Sequence, residues 1–278
     1  MHPVFWQAIR DSDFVIPDGY NVTDLTSELV GYLASPDPTL RETYAYSIIS
    51  YWIERGLYSS QQLREMTMQL VGNLGMGLRE KESDAVFLRS YSVLLLAEIV
   101  ARDNRHNFLT EAEIKNLMRW TLEYMLVERD LRGFVRRKGW ATCIGHTADL
   151  LRRLARNRYI DRSDLEQMMT AIAHRVTTPA EHVFVHNEDE ALVMAVWAAL
   201  ARQELTMPFM LNWLSKLVQV MHLVRPDDPF DPRIHGAVQN TRNFLRTFYF
   251  RIALNKKTDE WLNRLRPKVL AAVKAVNG

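Results

Sequence analysis

Cysteine is almost missing from this chain. Cys143 stands alone among 278 residues, which excludes an internal disulfide and points to a reducing compartment. Glycine and proline are also sparse, at 11 and 10, so long flexible linkers are not expected. Long apolar runs are lacking too. The longest, Ser92–Ala101 and Ala191–Ala201, fall short of the roughly 20 residues that a bilayer span needs. The N-terminus, MHPVFWQAIRDSDF, has no basic segment followed by an apolar core, so no signal peptide is read. A soluble cytoplasmic protein without a membrane association is the expectation. Neither sign of charge dominates: 35 Lys and Arg face 33 Asp and Glu, a net charge of +2. The total therefore gives no global argument for nucleic acid or an anionic membrane. Phosphate-binding loops, nucleophile elbows, dinucleotide fingerprints, HExxH and paired CxxC motifs are all absent, and no cofactor is expected.

What is present is helical periodicity. No strand is expected; Val183–Val185 alternates with His182 and His186 but is only loop-length. Thr110–Glu113 reads as a capping box, and Asn187–Glu190 shows the same pattern with Asn as the cap. Ser83, Asp161 and Thr258 are further caps. Helices are expected to begin near residues 4, 23, 38, 60, 84, 111, 138, 162, 188, 207, 232 and 259. Ser35-Pro36, Gly56, Gly75 to Gly77, Asn104, Asn157, Pro179 and Arg225-Pro226 mark stops. The proline-rich Arg225–Pro232 stretch reads as a stiff exposed connector. Taken in pairs, the openings near 23, 60, 111, 162, 207 and 259 recur at intervals comparable with the HEAT and armadillo period of about 40 to 47 residues. The expected fold is all-α: an irregular α-solenoid of HEAT-like antiparallel helix pairs in a single domain over residues 1–278. Met66, Met68, Met168, Met169, Trp197 and Trp213 are expected as core filler.

The richest stretch runs from Arg129 to Arg158 and holds nine basic and two acidic residues. On a helical projection at about 100° per residue, Thr142, His146, Asp149 and Arg153 share one narrow arc, opposite Trp140, Ile144, Leu151 and Ala155. The arc is either a solvated face or a site. Gly145 beside His146 costs helix stability, about 1 kcal/mol against Ala, and suggests that something packs close. His146 and Asp149, three residues apart, are able to touch. Such a pair serves as an oriented general base or as a structural hydrogen bond. Arg132, Arg136, Arg137 and Lys138, in a loop bracketed by Gly133 and Gly139, precede the helix start and suggest an anion site, with a solvated charged turn as the alternative.

Further along, Glu188, Asp189 and Glu190 open a helix, where acids stabilise its dipole or line a charged pocket. His182 and His186, with Glu181 and Glu188, hint at a metal cluster, but no spacing enforces one and none is expected. Asn240, Asn243, Thr247 and Arg251 form a polar stripe opposite Leu245, Tyr249 and Ile252, and two asparagines on one helical face suggest a hydrogen-bonding role. Arg246 lies off this stripe and is expected to pair with an acid of the preceding helix.

Several short motifs in order carry a resemblance. Asp130-x-Arg132-Gly133, Lys138-Gly139-Trp140-Ala141 and His146-x-Ala148-Asp149-Leu150-Leu151 are followed by Glu188-Asp189-Glu190. Asn243-Phe244-Leu245-Arg246 and Tyr249-Phe250 complete the series. Over residues from about 128 to 250 the chain resembles the bacterial domain-of-unknown-function family 2785. The resemblance implies an all-helical, HEAT-like fold and supplies no activity. It singles out Asp130, Arg132, Trp140, His146, Asp149, Glu188, Asp189, Asn243 and Arg246. The family pattern has a second histidine four residues before His146; here that position is Thr142, which puts a two-histidine metal or proton-relay role in doubt.

Three functions follow. The first is a non-enzymatic helical repeat whose polar concave groove binds a peptide partner or a small anionic ligand, through Asp130, Arg132, Lys138, Trp140, Thr142, Glu188, Asp189, Asn240, Asn243 and Arg246. The second is an enzyme in which His146, oriented by Asp149, acts on a polar substrate while Arg132 or Lys138 holds an anion. The third is nucleic-acid binding through the Arg129–Arg158 cluster, which the balanced total charge argues against. Oligomeric state is not fixed by any of these features.

Overall fold

The computed structural model describes residues 1–224, 231–255 and 259–277. The expected Thr258 cap and the Arg225-Pro226 stop lie outside the described residues, as does most of the proline-rich connector. Helices dominate, and the chain divides into two compact units, Met1–Tyr159 and Ile160–Gly278. Among the described residues no helix is long and apolar enough to cross a membrane.

The first unit contains α1 (Pro3–Asp11), α2 (Val22–Tyr32), a π-helical segment (Thr39–Tyr46) that runs into α3 (Ser47–Arg55), α4 (Ser60–Asn73), α5 (Ala85–Asp103), α6 (Glu111–Val127) and α7 (Cys143–Leu154). Local chemistry explains most of these boundaries. Thr110 and Glu113 close the expected capping box on α6, and Ser59 with Gln62 closes another on α4. Gly56 ends α3 in the left-handed conformation, where a residue without Cβ carries no steric cost. Ser83, an expected cap, is not one: Asp84 stands before α5 and makes no side-chain cap bond.

Helix α5 is the axis of this unit. It is apolar on nearly every side, as a helix surrounded by others must be. It packs most extensively on α7 and also on α3 and α4, while α6 lies on α7. Its interior nevertheless includes Arg89, Ser90, Ser92 and Asp103, all fully withdrawn from solvent. Asp103 accepts from the amides of Phe108 and Leu109 and from Asn157 and Arg158. Burial alone would raise its carboxyl, yet those amides, with Arg158 and Asn157, hold it below the ordinary value.

One expectation needs correction here. The sequence predicts no strand, yet β1 (Phe134–Val135) and β2 (Gly139–Trp140) form a short antiparallel pair. The helix expected near 138 begins instead at Cys143. Gly139 adopts φ +79°, and a Cβ there would collide with Arg41 and Glu42; the helical period cannot run through it.

The second unit holds α8 (Arg162–Thr177), α9 (Glu188–Leu200), α10 (Met207–Val218) with a 3-10 turn after it (Gln219–Leu223), α11 (Pro232–Ala253) and α12 (Glu260–Asn277). Asp161 caps α8 as expected, with Asp164 completing a box. The box expected at Asn187 does not form, because Asn187 takes a left-handed conformation and makes no side-chain cap bond. Helix α11 is the hub, packing on α8, α9 and α12. Its Phe244 and Phe248 meet Trp213 of α10 edge-on, with centroids 6.0 and 5.9 Å apart. Met66, Met168, Met169 and Trp213 are core residues as expected. Met68 is not; it is exposed.

Candidate functional site

In the first unit the residues around His146 meet across three elements. α7 starts late, so Thr142 is its N-cap residue rather than part of a helical stripe, and it makes no side-chain cap bond. Trp140 belongs to β2 and is 40% exposed, not turned onto an apolar helix face. The close neighbour that Gly145 accommodates is local: a Cβ there would meet the Thr142 hydroxyl at 2.9 Å.

His146 and Asp149 do not bond to each other. His146 Nδ1 lies 2.8 Å from Ser90 Oγ and 3.2 Å from the Ser90 carbonyl, both on α5. A carbonyl only accepts, which assigns the ring proton to Nδ1 and leaves the lone pair on Nε2. Nε2 has no partner among the described residues. Burial pushes the ring down to about 4, the Ser90 carbonyl partly opposes that, and Arg41 lowers it further. At neutral pH the imidazole is therefore uncharged. Tyr91 meets it edge-on at 5.1 Å. Asp149 pairs instead with Arg152 at 2.8 Å. Burial raises its carboxyl, opposed by Arg152 and Arg153.

Arg41, Glu42, Ser90 and Tyr91 were not singled out in the sequence, and they organise this region. Arg41 is fully buried on the π-helical segment, a helix form that recurs at functional sites. Its guanidinium lies over Phe87 at 4.0 Å and over Tyr91 at 5.0 Å. It donates to the Ser35 carbonyl, to Glu42 and to the Lys138 carbonyl. The only sequence signal of this arrangement is the polar Arg89-Ser90-Tyr91-Ser92 run inside an otherwise apolar helix.

The basic loop is a braced hairpin. Arg132 donates to Asp130 through Nε at 2.8 Å and Nη2 at 2.6 Å, and Nη2 also reaches the Ser83 carbonyl at 2.8 Å. Lys138 Nζ pairs with Asp84 at 2.7 Å. The Trp140 amide donates to Glu42 at 3.0 Å. Arg132 and Lys138, expected to hold an anion, are thus neutralised by carboxylates of the chain itself. Between the strands, the Lys138 amide donates to the Val135 carbonyl at 3.0 Å, and Arg137 sits in the turn at φ +67°. Phe134 and Trp140 pack edge-on at 5.3 Å while 52% and 40% exposed. Arg129, Arg136 and Arg137 are exposed, and among the described residues no carboxylate pairs with them.

In the second unit the polar residues hold a loop. Asn240 is buried; it accepts from the Phe184 amide at 2.7 Å and donates to the His182 carbonyl at 3.0 Å. Asn243 donates to the Phe184 carbonyl at 3.4 Å. The loop between α8 and α9 is thereby strapped to α11, and at Gly236 the Ala180 carbonyl comes so close that no Cβ fits. Glu188, also buried, accepts from the His186 amide at 2.7 Å and lies 3.7 Å from His182 Nε2. Burial would raise its carboxyl, but His182 and the amides of Glu188 and His186 hold it below the ordinary value. Among the described residues no three His, Cys, Asp or Glu side chains are arranged to hold a metal. Asp189 accepts from Thr247 at 2.5 Å. Among the described residues Arg246 pairs with no acid; it donates to Asn277 at the end of α12. Arg251 lies over Trp197 at 5.2 Å.

The site residues thus fall in separate units: Asp130, Arg132, Lys138, Trp140, Thr142, His146 and Asp149 in the first, Glu188, Asp189, Asn240, Asn243 and Arg246 in the second. Residues 74–250, more than half of the chain, match the family described as Protein of unknown function (DUF2785). The chain belongs to this family. The family segment opens at the end of α4 and closes within α11, so it contains the hairpin, His146 and the Asn240 clamp, whereas Arg41 and Glu42 precede it. No curated protein and no solved structure matches the chain.

Proposed function

We propose that this family member is a non-enzymatic helical binding protein, and that the β1–β2 hairpin of its first unit docks an acidic peptide segment of a partner. The observation that carries the reading is the exposed Phe134–Trp140 pair on a hairpin braced from below by buried or paired groups. Exposed aromatics on a rigid support are typical of binding anchors. Arg129, Arg136 and Arg137 supply charge with no internal carboxylate to satisfy it, which suits acidic side chains. Arg137 is held in a conformation unfavourable for a side-chain-bearing residue, and such strain concentrates at functional positions. The HEAT-like character of the helix pairs, a groove as the docking surface and a cytoplasmic setting belong to this proposal.

The test is an array of acidic peptides probed with the full chain at about 0.15 M salt, where exposed charges are screened beyond roughly 8 Å. Acidic peptides with an apolar residue should be retained, and R136E/R137E and W140A should each abolish retention while melting temperature holds. Retention of single-stranded nucleic acid in place of peptide, or retention by both variants, overturns the reading.

A second reading, catalysis at His146, is favoured by one observation: Nδ1 is held by Ser90 while Nε2 makes no hydrogen bond among the described residues. Its orienting group would be Ser90 rather than Asp149. H146Q would then abolish turnover of a polar substrate without affecting peptide retention.

A further inference from the structure

In the first unit, helix α7 ends among arginines. Arg153 and Arg152 precede Arg156 by three and four residues, the spacings at which side chains on one helix adjoin. Arg152 has a carboxylate partner, Asp149 Oδ1 at 2.8 Å. Among the described residues no carboxylate pairs with Arg153 or Arg156. The Nε–H groups of Arg152 and Arg153 are buried and make no hydrogen bond among the described residues. Burial, then the charges of Arg152 and Arg153, push the Arg156 guanidinium below its ordinary value, so the three groups crowd one another. The Tyr46 hydroxyl, which donates to Glu98 at 3.4 Å, also feels the charges of Asp149 and Arg153 and stands at the edge of this cluster.

Capping does not account for the cluster. Cations near a helix C-terminus are favoured by its open carbonyls, but here those carbonyls are filled. The Arg153 carbonyl accepts from Asn104 Nδ2 at 2.9 Å and from the Arg156 amide at 3.2 Å. The carbonyls of Leu151 and Leu154 accept from the amides of Ala155 and Asn157, each at 2.8 Å. Like charges gathered at a cost, two of them without an acid of the chain, mark a place for an external anion. Asp149 offsets Arg152, and the two charges that remain match a dianion. A guanidinium is a planar fork that fits a pair of phosphoryl oxygens. We propose that the end of α7 binds a phosphoryl dianion, either inorganic phosphate or the phosphate monoester of a small molecule, gripped by Arg153 and Arg156. Asp149, one turn back along α7, accepts from a hydroxyl on the body of the ester. This assignment is independent of the hairpin and of the peptide reading.

The experiment is isothermal titration calorimetry on the full chain at about pH 7.5, where a phosphate monoester carries nearly two charges. The probes are inorganic phosphate, glycerol 3-phosphate and dimethyl phosphate, a diester with a single charge. The two dianions should bind saturably in about 0.15 M salt, and the diester about tenfold more weakly or not at all. Tighter binding of glycerol 3-phosphate than of phosphate assigns the site to a phosphorylated small molecule; otherwise it belongs to free phosphate. R153M and R156M should each weaken binding about tenfold or more. R156M removes an exposed charge and relieves the crowding, so without ligand it should melt no lower than the unaltered chain, which separates lost binding from lost fold. Absence of saturable heat with both dianions, equal affinity for the diester, or undiminished binding by R156M would each overturn the assignment.

Discussion

Arg89 and Glu128 form a two-pronged ion pair from which solvent is wholly excluded. Nε donates to Oε2 at 2.6 Å and Nη2 to Oε1 at 2.9 Å, and both side chains are fully buried. The remaining arginine nitrogen donates to the carbonyls of Met76 and Gly77, and Glu128 also accepts from the amides of Arg129 and Asp130. One interaction thus ties α5 to the turn before it and to the start of the hairpin loop. Removing one partner strands a buried charge, at a cost of about 3–5 kcal/mol. R89M and E128Q should each lower stability by that order in chemical denaturation. R89M/E128Q should lose less than the sum of the single changes, because the second change removes the stranded charge. Additive losses would show that the pair is not coupled.

His146 makes an acid-sensitive contribution to stability. Its folded value of about 4 lies below the ordinary 6.5. Between those limits the unfolded chain binds a proton that the folded chain refuses, so stability rises with pH across this window. The contribution is complete above about pH 6.5 and is lost as pH falls toward 4, at most about 3 kcal/mol at 1.36 kcal/mol per unit. NMR titration of the imidazole should show an apparent midpoint near 4, and H146F should flatten the stability profile between pH 4 and 6.5. A midpoint at 6 or above would mean that the ring is not enclosed as described.

The Asn240 clamp predicts a local effect. N240A leaves the Phe184 amide and the His182 carbonyl without their partner in a buried place, at a cost of about 1–3 kcal/mol. Hydrogen exchange at Phe184 should accelerate strongly. N243A should do less, since its bond is longer and its side chain less enclosed. Equal protection of Phe184 in N240A and the unaltered chain would refute the clamp.

Helix positions were legible because capping is local chemistry. Thr110 with Glu113 as a box, and Asp161 as a cap, place helix starts from neighbouring residues, and the structure begins α6 and α8 there. Asn187 carries the same spacing but fails, since the loop before α9 turns through a left-handed residue and Glu188 is drawn to the His186 amide. Thr142, His146, Asp149 and Arg153 do recur at helical spacing, but Thr142 lies at the cap. What stops the helix there comes from 97 and 98 residues away, where Arg41 reaches the Lys138 carbonyl and Glu42 the Trp140 amide. Single-sequence periodicity has no access to such partners. For the same reason the His146–Ser90 contact, spanning 56 residues, was invisible where the nearby Asp149 was not.

Gly139 concentrates that long-range dependence in one residue. Its φ of +79° is open to glycine and strained for others. An added Cβ would also stand 2.9 Å from Arg41 Nη2 and 3.0 Å from Pro38 Cβ, besides overlapping a Glu42 oxygen. Arg41 is fully buried and cannot retreat without losing the Ser35 and Lys138 carbonyls. G139A should therefore cost more than the roughly 1 kcal/mol of backbone strain alone, on the order of 2–4 kcal/mol with the clash included. The damage should be focused: Trp140 loses its tie to Glu42, so the hairpin loosens and Trp140 fluorescence shifts in a variant that keeps it as the reporter. Peptide retention by the hairpin should fall in parallel. A G139A protein that melts like the unaltered chain and retains peptide equally would show that the brace beneath Phe134 and Trp140 is dispensable.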